Sequence, residues 1–90
     1  MLLLQSTIFK KQIKKLHKNQ IKDLAAAVKV VVKDPSIGEM KKGDLIGIQV
    51  YKFKMAKQLI LLAYEYIDNE LTLVLLSCGS HENFYRDLKR

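Results

Sequence analysis

The 90-residue chain carries 16 lysines and arginines against 9 acidic residues, a formal net charge of +7 at pH 7, and 49% of it is hydrophobic. That balance excludes a disordered chain and leaves room for one domain, residues 1–90, with a single core and little apolar surface to spare. It also predicts a polyanionic partner, whether nucleic acid, an acidic protein or an anionic membrane surface. Membrane binding is the weakest of the three, since no run approaches about 18 apolar residues and Met1 to Leu4 is too short for a signal segment. The single cysteine, Cys78, sits in an apolar stretch, which predicts a core thiol and a reducing, cytoplasmic location.

In chain order, Leu2 to Gln5 reads as a short opening strand. Ser6 or Thr7 can cap a first helix running to about Lys18, with Phe9, Ile13 and Leu16 inward and Lys10, Lys11, Lys14, Lys15 and Lys18 on its other faces. A break or bend is expected near Asn19. A second helix carries Ile21, Leu24, Ala25, Val28, Val31 and Val32 at helical spacing, and Asp34-Pro35 closes it. Two amphipathic helices on a short link predict an antiparallel hairpin. His17, among lysines, reads as an ordinary surface residue.

Ser36 to Asp44 reads as a loop, with Gly38 and Gly43 bracketing Lys41 and Lys42. The period then changes to two, and Leu45 to Lys54, Gln58 to Ile67 and Leu71 to Cys78 read as three strands. Asp68-Asn69 is a tight-hairpin signal because both residues tolerate positive φ. Leu59 to Ala63 and Leu73 to Leu76 are apolar on both faces, which predicts a sheet covered on both sides. The fold class is therefore α+β: a short N-terminal strand, a helical hairpin, a three-stranded antiparallel meander and a C-terminal helix.

Lys52 and Lys54 share parity with Ile48 and Val50, while Tyr51 and Phe53 point to the other face. Two lysines so spaced make a pair of positive charges about 7 Å apart, suited to a phosphate. The same pair equally suits the protection of an exposed strand edge. After the last strand the chain turns at Gly79-Ser80 and continues as a polar helix capped by Ser80. Phe84 and Leu88 form one stripe of that helix, and His81, Tyr85 and Lys89 a second, about 100° round the axis. The first stripe suits docking on the core. The second is either a solvated side or a face for a substrate.

With YKFKM at Tyr51 to Met55, the stretch AYEYIDNELTLVLLSCGSHENFY and the terminal RDLKR together, the chain resembles the RelE/ParE superfamily. These are small bacterial toxins of type II toxin–antitoxin systems. The resemblance extends over almost the whole chain and is strongest from Gly43 to Arg90. It implies a RelE-like fold, a cognate acidic antitoxin as partner, and one of two targets. Many members cut messenger RNA on the ribosome, whereas the ParE branch poisons DNA gyrase without catalysis. Tyr51-Lys52-Phe53-Lys54 is similar to the Tyr-Lys-x-Lys strand of the RelE branch, which implies RNA-binding and catalytic roles for both lysines. His81 falls where RelE-like nucleases put a catalytic arginine or histidine, and Tyr85 near the aromatic that stacks on or orients the substrate. One departure stands out: the arginine that RelE-type members carry early in the following strand is missing from Lys57-Gln58-Leu59-Ile60-Leu61. Lys57 and Arg86 are the candidates to replace it.

The chemistry such residues support needs no metal or cofactor. The acids are scattered, and the two histidines lie on distant elements. RNA carries its own nucleophile, the 2′-hydroxyl. The site must supply a base for it, positive charge for the pentavalent phosphate and an acid for the leaving 5′-oxygen. His81 is the expected base or acid, held neutral by a helix N-terminus and nearby lysines. Lys52 and Lys54 would stabilise the phosphate, and Tyr85 would stack on a base or donate a hydrogen bond. Lys57, Arg86, Lys89 and Arg90 are expected RNA contacts. Lys10, Lys11 and Lys14 serve either as a solvated helix face or as a contact to ribosomal RNA. Alternatives on the same fold are the gyrase poison and a binding module that keeps the charge without catalysis.

Overall fold

In a computed structural model that describes residues 1–80 and Phe84, the change of sequence period at residue 45 separates a helical layer from most of a sheet. The order is β1 (Leu2–Gln5), α1 (Thr7–Ile13), α2 (Lys18–Lys33), β2 (Glu39–Met40), β3 (Gln49–Met55), β4 (Gln58–Ile67) and β5 (Thr72–Gly79). The sheet order is β1-β5-β4-β3-β2. β3, β4 and β5 form the expected antiparallel meander, and β1 lies parallel to β5. The α+β class holds, as does the order of opening strand, two helices and meander, with β2 added before the meander.

The boundaries differ from the sequence expectation in instructive places. α1 begins as expected, with Ser6 Oγ accepting from Phe9 N at 3.0 Å, but it stops at Ile13 rather than near Lys18. Bonds from Lys15 N to Gln12 O and from Leu16 N to Ile13 O, both 3.2 Å, tighten its end. The break falls before Asn19, which belongs to the first turn of α2. His17 is the N-cap, its backbone N–H donating to Gln20 Oε1 at 2.8 Å. The strand expected from Leu45 begins at Gln49, because Gly43 (φ +67°) and Gly47 (φ +88°) turn the chain and Gly43–Leu45 forms a 3-10 turn. Two residues of the expected loop, Glu39–Met40, instead pair with β3 as an edge strand. At the β4–β5 connection the positive φ falls on Leu71 (+49°), after a 3-10 turn over Asp68–Glu70, and not on Asp68 or Asn69.

Apolar residues lie on both faces of the sheet. On the helical side Phe9, Leu24 and Val31 pack with Met55, Ile60, Leu62, Tyr64, Leu73, Leu75 and Cys78. On the other side Val50, Leu61 and Ala63 pack with Phe84. Phe84 is fully buried, and its N–H donates to Ser80 O at 3.0 Å, the spacing of a helical turn. The remainder of the expected C-terminal helix lies outside the described residues.

Candidate nucleic-acid interface

The face of β3 that carries Val50 inward presents Lys52 and Lys54 to solvent. The alternation is enforced from the opposite face. Tyr51 and Phe53 are half-buried against the helical-side core, and their rings stack at 6.2 Å between centroids with 8° between planes. A one-residue slip would bury both ammonium groups. Beyond Val50, β3 has no strand on its outer side among the described residues, since β2 reaches only Gln49 and Val50. The lysine pair thus also guards an open edge.

Register carries the lysine row across the sheet. Lys52 pairs with Leu61, and Leu61 with Gly79, so one row crosses three strands and spans about 10 Å. Gly79 ends β5, two residues before His81. Lys54 pairs with Leu59, which is 48% exposed. The strand on which the family resemblance calls for an arginine thus sets an exposed leucine beside the second lysine. Lys57 stands at the tip of the β3–β4 hairpin with φ +73°, exposed and at the same end as Lys54. No acidic residue occurs between Gln49 and Tyr64, and the one ion pair between described residues is Lys41–Glu39, at 3.2 Å. Lys52, Lys54 and Lys57 thus concentrate positive charge at this end of the sheet.

Lys10, Lys11 and Lys14 are exposed on α1 and its C-cap, on the helical side, whereas Lys52 and Lys54 emerge on the other face of the sheet. The structure does not bring these two sets together. His81, Tyr85, Arg86, Lys89 and Arg90 lie outside the described residues. A cleft of about 250 Å³ adjoins the end of β5 on the helical side, lined by Gln12, Lys15, Leu16, Met55, Cys78 and Ser80 among others, with no acid among the described residues of its wall. Burial pushes the Cys78 thiol up to about 11, so it stays protonated at neutral pH.

Two contributors escape the sequence reading. Asp23 of α2 accepts from Ala56 N at 2.8 Å and thereby holds the hairpin tip that bears Lys57. Gln12 of α1 bonds to Ser77 and Cys78 near the end of β5. The second left a trace in the sequence: Gln12 is a polar residue set within the stripe of Phe9, Ile13 and Leu16.

A family model described as ParE-like toxin of type II bacterial toxin–antitoxin system matches residues 3–89. Among solved structures, the chain is similar to a chain of the intact Escherichia coli RelBE toxin–antitoxin complex: 23% identity, TM-score 0.70, covering 88% of this chain and 94% of that one. It is also similar to an arginine-to-alanine double mutant of E. coli RelE in the free state: 21% identity, TM-score 0.71, covering 90% and 83%. A third is a conserved hypothetical protein from Helicobacter pylori: 20% identity, TM-score 0.57, covering 91% and 96%. At these identities the structures show a shared fold. No curated protein sequence matches the chain.

Proposed function

The chain belongs to the ParE-like toxin family of type II bacterial toxin–antitoxin systems, and from that premise we propose that it is a RelE-type, ribosome-dependent messenger-RNA endonuclease held inactive by an acidic antitoxin. The observation that carries this reading is the exposed Lys52–Lys54 pair, whose first member lies on a register row that ends at Gly79, two residues before His81. A non-enzymatic gyrase poison needs no cationic pair to take up phosphoryl charge; a metal-independent nuclease does.

In the proposed reaction His81 removes the proton from a ribose 2′-hydroxyl, and the 2′-oxygen attacks the adjacent phosphorus. Lys52 and Lys54 take up the charge that develops on the phosphoryl oxygens. The bond from phosphorus to the 5′-oxygen breaks and the leaving oxygen takes a proton from water, giving a 2′,3′-cyclic phosphate and a 5′-hydroxyl end. Tyr85 orients the base, while Lys57, Arg86, Lys89 and Arg90 contact neighbouring phosphates. Supporting the antitoxin is an apolar groove of about 390 Å³ between β1, α1 and α2, lined by Leu3, Phe9, Ile13, Ile21, Leu24 and Val28 among others. Leu3 of β1 is exposed at its edge, and an amphipathic acidic segment would bury the groove together with that leucine.

Mapping RNA ends after expression in cells, beside a gyrase supercoiling assay, tests the proposal. The wild type should produce new 5′ ends within translated messages and leave supercoiling unchanged, and His81→Ala should produce none. Inhibited supercoiling with intact messages would replace this reading by the gyrase one, for which the leucine at position 59 is the favouring observation.

A further inference from the structure

β5 outruns its neighbour. β1 pairs with it only from Thr72 to Leu75, and no strand among the described residues lies beside the outer edge of Leu76 to Gly79. Backbone groups on such an edge must find other partners. α1 supplies them. Ser6 N donates to Leu75 O at 2.9 Å, and Ser6 Oγ donates to Leu76 O at 2.7 Å. Cys78 N donates to Gln12 Oε1 at 2.9 Å, while the other half of the same amide, Gln12 Nε2, donates to Ser77 Oγ at 2.9 Å. Ser77 and Cys78 are 0% and 8% exposed, so water offers little substitute.

This is also where the ladder changes step. Ala63 faces Ser77 but Tyr64 faces Leu75, which leaves Leu76 as an extra residue. A bulge of this kind re-aims the strand that follows it. Both residues after the bulge are bonded to one side chain, Gln12. We infer that Gln12 is a positioning residue: its amide sets the direction in which β5 leaves the bulge, and so where Ser80 and His81 stand relative to Lys52. The consequence for rate rests on the nuclease reading; the structural part does not.

Three variants test it. Gln12→Leu keeps the bulk and loses both bonds. Gln12→Glu keeps an acceptor for Cys78 N–H and can accept from the Ser77 hydroxyl. Ser77→Ala removes one partner only. In Gln12→Leu, amide exchange at Cys78 should quicken about tenfold or more relative to Leu73, and the imidazole resonances of His81 should shift. Cleavage of ribosome-bound message should lose about tenfold or more in kcat, with KM within about threefold. Gln12→Glu should restore kcat to within about threefold, and Ser77→Ala should fall between the two.

Wild-type kcat in Gln12→Leu, or a change confined to KM, overturns the positioning role. So does exchange that quickens equally along all of β5. If Gln12→Leu does not fold, wild-type kcat in Ser77→Ala overturns it instead. Should the wild type cleave no RNA, the nuclease reading fails by itself. Unmoved His81 resonances in Gln12→Leu would then still overturn the positioning role, and shifted ones support it.

Discussion

Tyr64 ties β4 to the turn from Pro35 to Gly38 through its phenol, and Gln49 of β3 bonds the same turn. Fully buried on β4, Tyr64 donates to Pro35 O at 2.6 Å and accepts from Gly38 N at 2.9 Å, while Gln49 Nε2 donates to Pro35 O at 2.9 Å and Gly38 O at 3.2 Å. A Cβ added at Gly38 would stand 2.5 Å from the Tyr64 hydroxyl and 2.9 Å from its ring. Gly38→Ala should therefore cost about 2–3 kcal/mol in urea unfolding, more than the roughly 1–2 kcal/mol expected for Tyr64→Phe. Burial raises the Tyr64 phenol above its ordinary value, as it raises the Cys78 thiol from 9.0 to about 11. A folded-state value above the unfolded one gives stability that is complete below the unfolded value and lost as pH rises through the folded one. The Cys78 contribution should thus disappear between pH 9 and pH 11, roughly 3 kcal/mol at most. Unfolding of the wild type and of Cys78→Ala across that window checks it, since the variant lacks this part of the decline.

At the scale of elements, both hairpins of the meander hold side-chain-bearing residues in left-handed backbone. Ala56 (φ +49°) and Lys57 (φ +73°) join β3 to β4, and Leu71 (φ +49°) precedes β5. Such conformations favour asparagine and glycine. Asp23 offsets part of the strain at the first tip by accepting from Ala56 N. Ala56→Asn combined with Lys57→Gly should raise stability by about 1 kcal/mol, and Asp23→Ala should lower it by a similar amount, about 1 kcal/mol. Chemical denaturation reads both. The first variant also removes the Lys57 ammonium, so undiminished RNA cleavage there would take Lys57 out of the phosphate contacts.

Across the whole molecule, the sheet divides the positive charge into two fields. Lys52 and Lys54 stand on one side, and Lys10, Lys11 and Lys14 on the other. Each phosphate contact to single-stranded RNA contributes about 0.7 to the slope of log affinity against log salt. Lys52→Ala with Lys54→Ala should flatten that slope by about 1.4 for a short RNA. Replacing Lys10, Lys11 and Lys14 together should leave it unchanged and weaken binding to the ribosome instead. A slope unmoved by the first pair would remove it from the phosphate site. No helix among the described residues is long and apolar enough to cross a membrane.

The sequence alone determined what depends on near neighbours. The period change marks the helical and strand halves, Asp34-Pro35 stops α2, parity puts Lys52 and Lys54 together opposite Tyr51 and Phe53, and the apolar run around Cys78 buries it. Each follows from spacing within one element, which a local window contains. Only the tertiary structure decided that β1 runs parallel beside β5, that Leu76 bulges, that Gln12 takes up the free edge beyond it, and that Leu59 stands opposite Lys54. It also put positive φ on Ala56, Lys57 and Leu71, where the residue types gave no warning. These features are set by register between segments up to 70 residues apart, and register is chosen by the burial of two faces at once rather than by any residue's own preference.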